Sequence, residues 1–272
     1  MILSRTLRFL LLGLVLLAGA PAHAATSQWL VSEGGRVRLT ALPASSDGTV
    51  EALLDIDLKP GWKTYWLEPG ASGIPPQISF ADGTNLTRLH MPAPKLFDDG
   101  TVAYAGYDRP VAFTMTLKRL PETRAAPLSA TIFLGICKDI CIPVQGVLTL
   151  DPASDANVNP QERLAYTAAQ QAMPAGPQPE FRVLTVGAPV DSTVRITLAV
   201  PPETTGDALN AFLAPPAGFA FGEPDIKRGA GNTADVVFKL LRTPKGTRLS
   251  GQEGRLIVTA NGRAMETQLA FQ

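Results

Sequence analysis

"ATIFLGICKDICIPVQGVLTL", residues 130–150, holds the only two cysteines of the chain, Cys137 and Cys141, with three residues between them. Both flanks of "KDI" are strand-like, and Lys138–Ile140 predicts a three-residue hairpin loop. Antiparallel strands joined in this way set Cys137 opposite Cys141. Their Cα atoms would then lie about 4.5–5.5 Å apart, within reach of a disulfide. Three readings are open at this point: a small structural staple, half of a metal site, or a thiol pair that changes oxidation state. As a staple the pair contributes little, because so short a loop gives less than the roughly 3 kcal/mol of a 15-residue loop. A cross-strand bridge beside a tight loop can also hold strain, and strain eases reduction.

Outward from the hairpin the pattern is strand after strand. "LLDIDLK" sets Leu54, Ile56 and Leu58 against Asp55, Asp57 and Lys59. "VAFTMTLK" repeats the alternation with Val111, Phe113, Met115 and Leu117, and "STVRITLAV" with Val194, Ile196, Leu198 and Val200. Period-two alternation predicts half-buried antiparallel strands. Pro60-Gly61, Pro69-Gly70, Asp82-Gly83 and Asp99-Gly100 read as turns, and Asn261-Gly262 between two apolar runs is a two-residue hairpin signal. Many short strands with frequent turns point to sandwiches. One stretch differs. From Pro152 to Pro179 the composition shifts to Pro, Ala, Gln and Asn, and "NPQERLAYTAAQQAM" within it predicts one helix. Asn159 suits its cap, Pro160 its first turn and Glu162 the capping-box position, with Met173-Pro174 at the end. The expected architecture is therefore all-β: two β-sandwich domains, 26–152 and 180–272, joined by a linker, 153–179, with one short helix.

The N-terminus predicts a leader. Arg5 and Arg8 precede the apolar run "FLLLGLVLLAGA", and "AHA" at Ala22–Ala24 fits a small-residue cleavage site. Residues 1–24 are read as a signal peptide and the mature chain as exported, with a bacterial periplasm as its destination and no transmembrane segment of its own after cleavage. The 24 basic and 24 acidic residues balance, and cleavage removes two of the former. That near-neutral charge gives no case for nucleic acid or an anionic membrane as a partner.

Three blocks stand in order: "LDIDLKPGWKTYWLEPGASGIPPQISF" (54–80), "FDDGTVAYAGYDRPVAF" (97–113) and "FLGICKDICIPVQGVLTLD" (133–151). Together they resemble the N-terminal periplasmic domain of the thiol:disulfide interchange protein DsbD, and more closely its ScsB-type relatives, the suppressors of copper sensitivity. The likeness covers roughly residues 28–152. Beyond them it is weak, matching the second immunoglobulin-like domain that some ScsB-type N-terminal regions carry. The resemblance implies an immunoglobulin-like sandwich with Cys137 and Cys141 as the redox pair. It also implies electrons taken from a membrane-embedded thiol transporter and passed to periplasmic thioredoxin-fold proteins, in settings such as copper tolerance and cytochrome c biogenesis. The best-known members separate their cysteines by more residues, and are fused to a transmembrane and a thioredoxin-like domain; here the transporter is expected to be a separate chain. In the family a loop ahead of the cysteine hairpin covers the disulfide. Asp98–Tyr107, "DDGTVAYAGY", stands at the corresponding place, which makes Asp98, Asp99 and Tyr104 the candidate cap, with Tyr104 as its aromatic. Family analogy favours Cys141 as the partner-contacting sulfur.

Residue chemistry leaves a second class open. Two thiolates suit Cu(I), and Met91 or Met115 could add a thioether; the alternative function is a non-enzymatic Cu(I)-binding or assembly-scaffold module. Zinc needs three or four ligands, and the only histidine outside the leader, His90, reads as a loop or edge residue. Lys138 favours a Cys137 thiolate and Asp139 opposes it. Trp62, Tyr65 and Trp66 read as core or corner packing, any one of which could line the redox site. Asp98-Asp99-Gly100 lacks the further ligands of a cation loop and reads as a turn. No organic cofactor and no dedicated metal site is expected.

Overall fold

A computed structural model describes residues 25–70, 73–81, 83–98, 100, 103–151, 160–205 and 208–272. The predicted signal peptide, Asp82, Asp99 and the helix cap Asn159 lie outside the described residues. Four antiparallel sheets make up the fold. The first runs β1 (Leu30–Val31), β2 (Gly35–Ala41), β3 (Thr49–Leu58), β9 (Val111–Arg119), β6 (Thr84–His90). The second runs β11 (Cys141–Leu150), β10 (Leu128–Cys137), β4 (Lys63–Gly70), β8 (Ala103–Tyr107), β7 (Lys95–Asp98), and β5 (Gln77–Phe80) also pairs with β10. The third runs β12 (Arg182–Val186), β13 (Thr193–Ala199), β17 (Thr233–Arg242), β15 (Ala220–Phe221), with β16 (Asp225–Arg228) on β17. The fourth is β14 (Leu209–Ala214), β18 (Glu253–Ala260), β19 (Arg263–Ala270). The architecture is all-β and immunoglobulin-like.

The alternation seen in the sequence becomes the two cores. Leu54, Ile56, Phe113, Met115 and Leu117 fill the first core, and Val194, Ile196, Leu198 and Val200 the second. Asn261 and Gly262 both take positive φ, 48° and 76°, in the two-residue turn between β18 and β19, the geometry that suits the right-handed twist of a hairpin. Pro69-Gly70 ends β4, where the pairing with β8 shifts register and Gly70 takes φ 94°. Glycine bears that conformation without a Cβ penalty.

The predicted helix is α1 (Pro160–Gln171). It docks on the first half of the chain. Its buried Tyr166 and Ala169 pack on Leu53 with Leu42 and Ala112 of the first half. The Tyr166 hydroxyl donates to the Glu51 carboxylate, and Thr26 Oγ1 donates to Glu162 at 2.7 Å. The fourth sheet is shared. Leu256 and Val258 on one face belong to the second core, whereas Phe212, Ala214 and Ile257 on the other complete the first. Phe212 meets Trp66 edge to face, with centroids 6.0 Å apart. No helix of the described residues is long and apolar enough to cross a membrane.

Candidate functional site

The hairpin β10–β11 pairs without interruption from Leu128↔Leu150 to Cys137↔Cys141. Lys138, Asp139 and Ile140 close it, and the Lys138 N–H donates to the Ile140 carbonyl at 3.1 Å. At its end Cys137 and Cys141 form a disulfide, with Cα atoms 4.1 Å apart. The two half-cystines differ in exposure. Cys137 is 5% exposed, while Cys141 is on the open surface. The difference follows from position: Cys137 lies on an inner strand flanked by β11 and β4, and Cys141 begins the edge strand.

Strand β4 supplies the next layer. It pairs Ile136 with Thr64 and Cys137 with Lys63. Paired residues share a face of a sheet, and alternate residues share it too. Lys63 and Tyr65 therefore stand on the outer face with the cysteines, and Thr64 and Trp66 turn inward. Trp66 is buried in the first core, and Thr64 Oγ1 donates to the Gly135 carbonyl at 2.8 Å. Trp62 lies over Gly34, where a Cβ would fall 2.2 Å from its ring. Of the three aromatics, only Tyr65 reaches the redox site: its hydroxyl is 3.2 Å from Cys141 Sγ. A disulfide sulfur carries no hydrogen, so the phenol is the donor. Burial, and then the neighbouring Tyr104, raise the Tyr65 pKa above its ordinary value, which keeps that donor in place. Gly135 leaves room for this arrangement. A Cβ there would sit 2.8 Å from Ile74 and 3.3 Å from the Tyr65 ring.

Strands β7 and β8 lie beside Tyr65, with Phe97 opposite Tyr104 and Asp98 opposite Ala103. The Phe97 and Tyr104 rings stack at 5.3 Å, and Tyr104 meets Tyr65 edge to face at 5.6 Å. Lys63 Nζ donates to the Tyr104 hydroxyl at 2.6 Å and lies 4.7 Å from the Phe97 centroid and 5.3 Å from that of Tyr104. Tyr104 thus belongs to an aromatic cluster that reaches Cys141 through Tyr65. Asp98 acts on the backbone instead. Its carboxylate accepts the Gly100 N–H at 2.8 Å. Beside Tyr104 lies a cavity of about 80 Å³, lined by Trp66, Leu96 and Tyr104 on one side and Phe212, Phe221 and Pro224 on the other.

Lys63 and Phe97 were not singled out by sequence reasoning. Both stand inside recognisable blocks, and the strand register that sets Lys63 opposite Cys137 and Phe97 opposite Tyr104 is visible only in the fold. Met91 and Met115 do not serve the cysteine pair as thioether ligands. Both are fully buried in the first core, between the sheets, whereas the cysteines face outward. His90 ends β6, the edge strand of the first sheet. No group of three or more His, Cys, Asp or Glu side chains is gathered among the described residues.

Residues 31–152 match the family described as "Thiol:disulfide interchange protein DsbD, N-terminal". The solved N-terminal periplasmic domain of ScsB from Proteus mirabilis aligns with 92% of this chain and 100% of its own, at 26% identity and a TM-score of 0.70. A marsupial T cell receptor aligns at 9% identity with a TM-score of 0.22, too low to bear on the fold. No curated protein matches the sequence.

Proposed function

We propose, from the premise that residues 31–152 are a DsbD N-terminal domain, that the protein is a periplasmic thiol-disulfide exchange protein. In this reading it relays electrons from a membrane thiol transporter to thioredoxin-fold partners, through the domain spanning 26–152, with 180–272 as its second domain. The observation that carries the reading is the asymmetric disulfide at the hairpin tip: Cys141 exposed and hydrogen-bonded, Cys137 buried beside it.

The chemistry follows from that asymmetry. To load the protein, a donor thiolate attacks Cys141 Sγ in line with the sulfur–sulfur bond, which breaks and releases Cys137 as a thiolate. The donor's second thiol then displaces Cys141. The donor leaves as a disulfide, and the protein keeps two electrons as a dithiol. Unloading reverses the order. Cys141 attacks the acceptor's disulfide, and Cys137 resolves the mixed intermediate. Tyr65 donates to the sulfur on which negative charge develops, and a hydrogen bond to the charged form favours it. Phe97 and Tyr104, packed on Tyr65, flank this site and leave Cys141 open to a partner.

The test expresses Cys137→Ala and Cys141→Ala singly in the periplasm of a bacterial host that carries the partners, with acid quenching and alkylation. Cys137→Ala keeps the attacking sulfur and lacks the resolving one, so it should accumulate reductant-sensitive adducts with thioredoxin-fold proteins, and Cys141→Ala should not. Absence of adducts from both variants overturns the reading.

A further inference from the structure

We propose that the cavity beside Tyr104 is a binding site for a small alkylammonium that carries one neutral oxygen, an amino alcohol of the size of choline. The proposal does not rest on the exchange reading and concerns a different part of the molecule from the disulfide. Three observations carry it. The indole N–H of Trp66, a residue that lines the cavity, is buried and has no acceptor among the described residues. The walls are rich in rings: Tyr104, Phe212, Phe221 and Phe238 border the cavity with Trp66. Glu68 and Glu223 are the only charged side chains on the lining among the described residues, and no Lys or Arg joins them there.

These features are graded with depth. Trp66, Phe212 and Phe238 are buried, Tyr104 and Phe221 are half-buried, and Glu68 and Glu223 are exposed. The unpaired donor therefore belongs to the bottom of the cavity and the carboxylates to its rim. A buried donor without a partner is costly, so the bottom calls for an acceptor. Water fills that need poorly, since a buried water wants about two to four polar partners and the deep side chains are apolar. The rim calls for a cation. An alkylammonium can lay its methyl groups against the rings while its charge faces the carboxylates, the combination by which aromatic cages hold quaternary ammonium groups. Burial raises the Glu68 pKa, although the Gly70 N–H and Arg242 favour its charged form, so a further cation beside it is welcome. The cations around the rim are engaged elsewhere: Arg242 Nε donates to the Gly218 carbonyl at 3.0 Å, and Lys63 Nζ to the Tyr104 hydroxyl at 2.6 Å. The ligand's oxygen must be neutral, because the same two carboxylates repel an anionic one. A volume of about 80 Å³ limits the occupant to a few heavy atoms.

The test uses the full mature chain and choline chloride as the probe, with sodium chloride at equal ionic strength as the control. The readout is the set of indole N–H signals in two-dimensional NMR spectra. The chain has three tryptophans, and Trp29→Phe and Trp62→Phe identify the Trp66 signal by elimination while leaving the cavity unaltered. That signal should shift saturably with choline, with a Kd on the order of 1 mM. The neutral isostere 3,3-dimethylbutanol, in which carbon replaces the nitrogen, should bind about tenfold more weakly. Glu68→Gln with Glu223→Gln changes only exposed side chains. It should weaken choline about tenfold and leave the neutral alcohol unchanged. A Trp66 signal that does not move, or that drifts without saturation, overturns the site. An isostere that binds as tightly as choline, or a double variant that binds choline as the parent does, overturns the assignment of a cation. No measurement involves thiol exchange, so this inference and the exchange reading fail independently.

Discussion

Tyr65 donates its phenolic hydrogen to the sulfur of Cys141 across 3.2 Å. The two residues are 76 positions apart in sequence and meet because β4 lies beside β10 while β11 folds back on it. The contact gives the exposed half of the bridge a fixed donor, held protonated by burial.

Tyr65→Phe keeps the ring and removes only that donor. A net hydrogen bond is worth about 1 kcal/mol, more when one partner is charged. Exchange with a thioredoxin-fold partner at neutral pH should slow roughly five- to tenfold, with the melting temperature little changed. Stopped-flow kinetics of the two proteins, side by side, check this; equal rates would remove Tyr65 from the mechanism.

Reducing the bridge should cost little stability. The closed loop is very short, and the first core of Leu54, Ile56, Trp66, Phe113 and Ile132 does not depend on it. On the chain-entropy argument the loss is under about 3 kcal/mol. Oxidised and reduced protein should both melt cooperatively, within several degrees of each other, in calorimetric scans. Loss of the cooperative transition on reduction would return the pair to the role of a staple.

Gly135→Ala puts a methyl group 2.8 Å from Ile74 and 3.3 Å from the Tyr65 ring. Ile74 is also held by its carbonyl, which accepts the Gly135 N–H at 3.2 Å, so the methyl group presses on both Ile74 and the Tyr65 ring. Overpacking of this kind costs about 1–3 kcal/mol. The variant should melt lower and also exchange more slowly, as Tyr65→Phe does. A lower melting temperature with unchanged exchange would show that Ile74 moves instead.

Alkali should unfold the protein early. Burial raises the pKa values of Tyr65 and Tyr107, and burial with the Glu51 carboxylate raises that of Tyr166. In the unfolded chain these phenols ionise near their ordinary value of about 10, while the folded chain keeps them protonated. The unfolded state then binds fewer protons, so stability is fully present below about pH 10 and is lost as pH rises toward the folded values. Denaturant midpoints measured from pH 8 to 11 should hold steady and then fall. Tyr166→Phe, which removes one such group, should flatten the fall.

The sequence carried the strands of both halves because each shows its buried face every second residue, as Phe113, Met115 and Leu117 do. The cysteine hairpin was legible for the same reason, its loop and register following from local chemistry alone. Tyr104 could be placed near the disulfide only by likeness to a family. Lys63, Tyr65 and Phe97 join it through pairings between β4, β10, β7 and β8, which no local pattern encodes. The helix was found, but its docking through Tyr166 onto Glu51 depends on strands more than a hundred residues earlier.

The fourth sheet, which serves both cores, also decides what can be cut away. A chain ended after α1 would lose Phe212, Ala214 and Ile257 from the first core and leave Trp66 without its edge-to-face neighbour. The wound would be an apolar patch beside Tyr104 and the strands β7 and β8, and such patches invite association. A short redox fragment made for crystallography or for a biosensor would therefore tend to stick to itself, and its Tyr104 would lack the far wall of the cavity. A soluble miniature would need those exposed positions recoloured with polar side chains before its thiol chemistry could be compared with that of the parent.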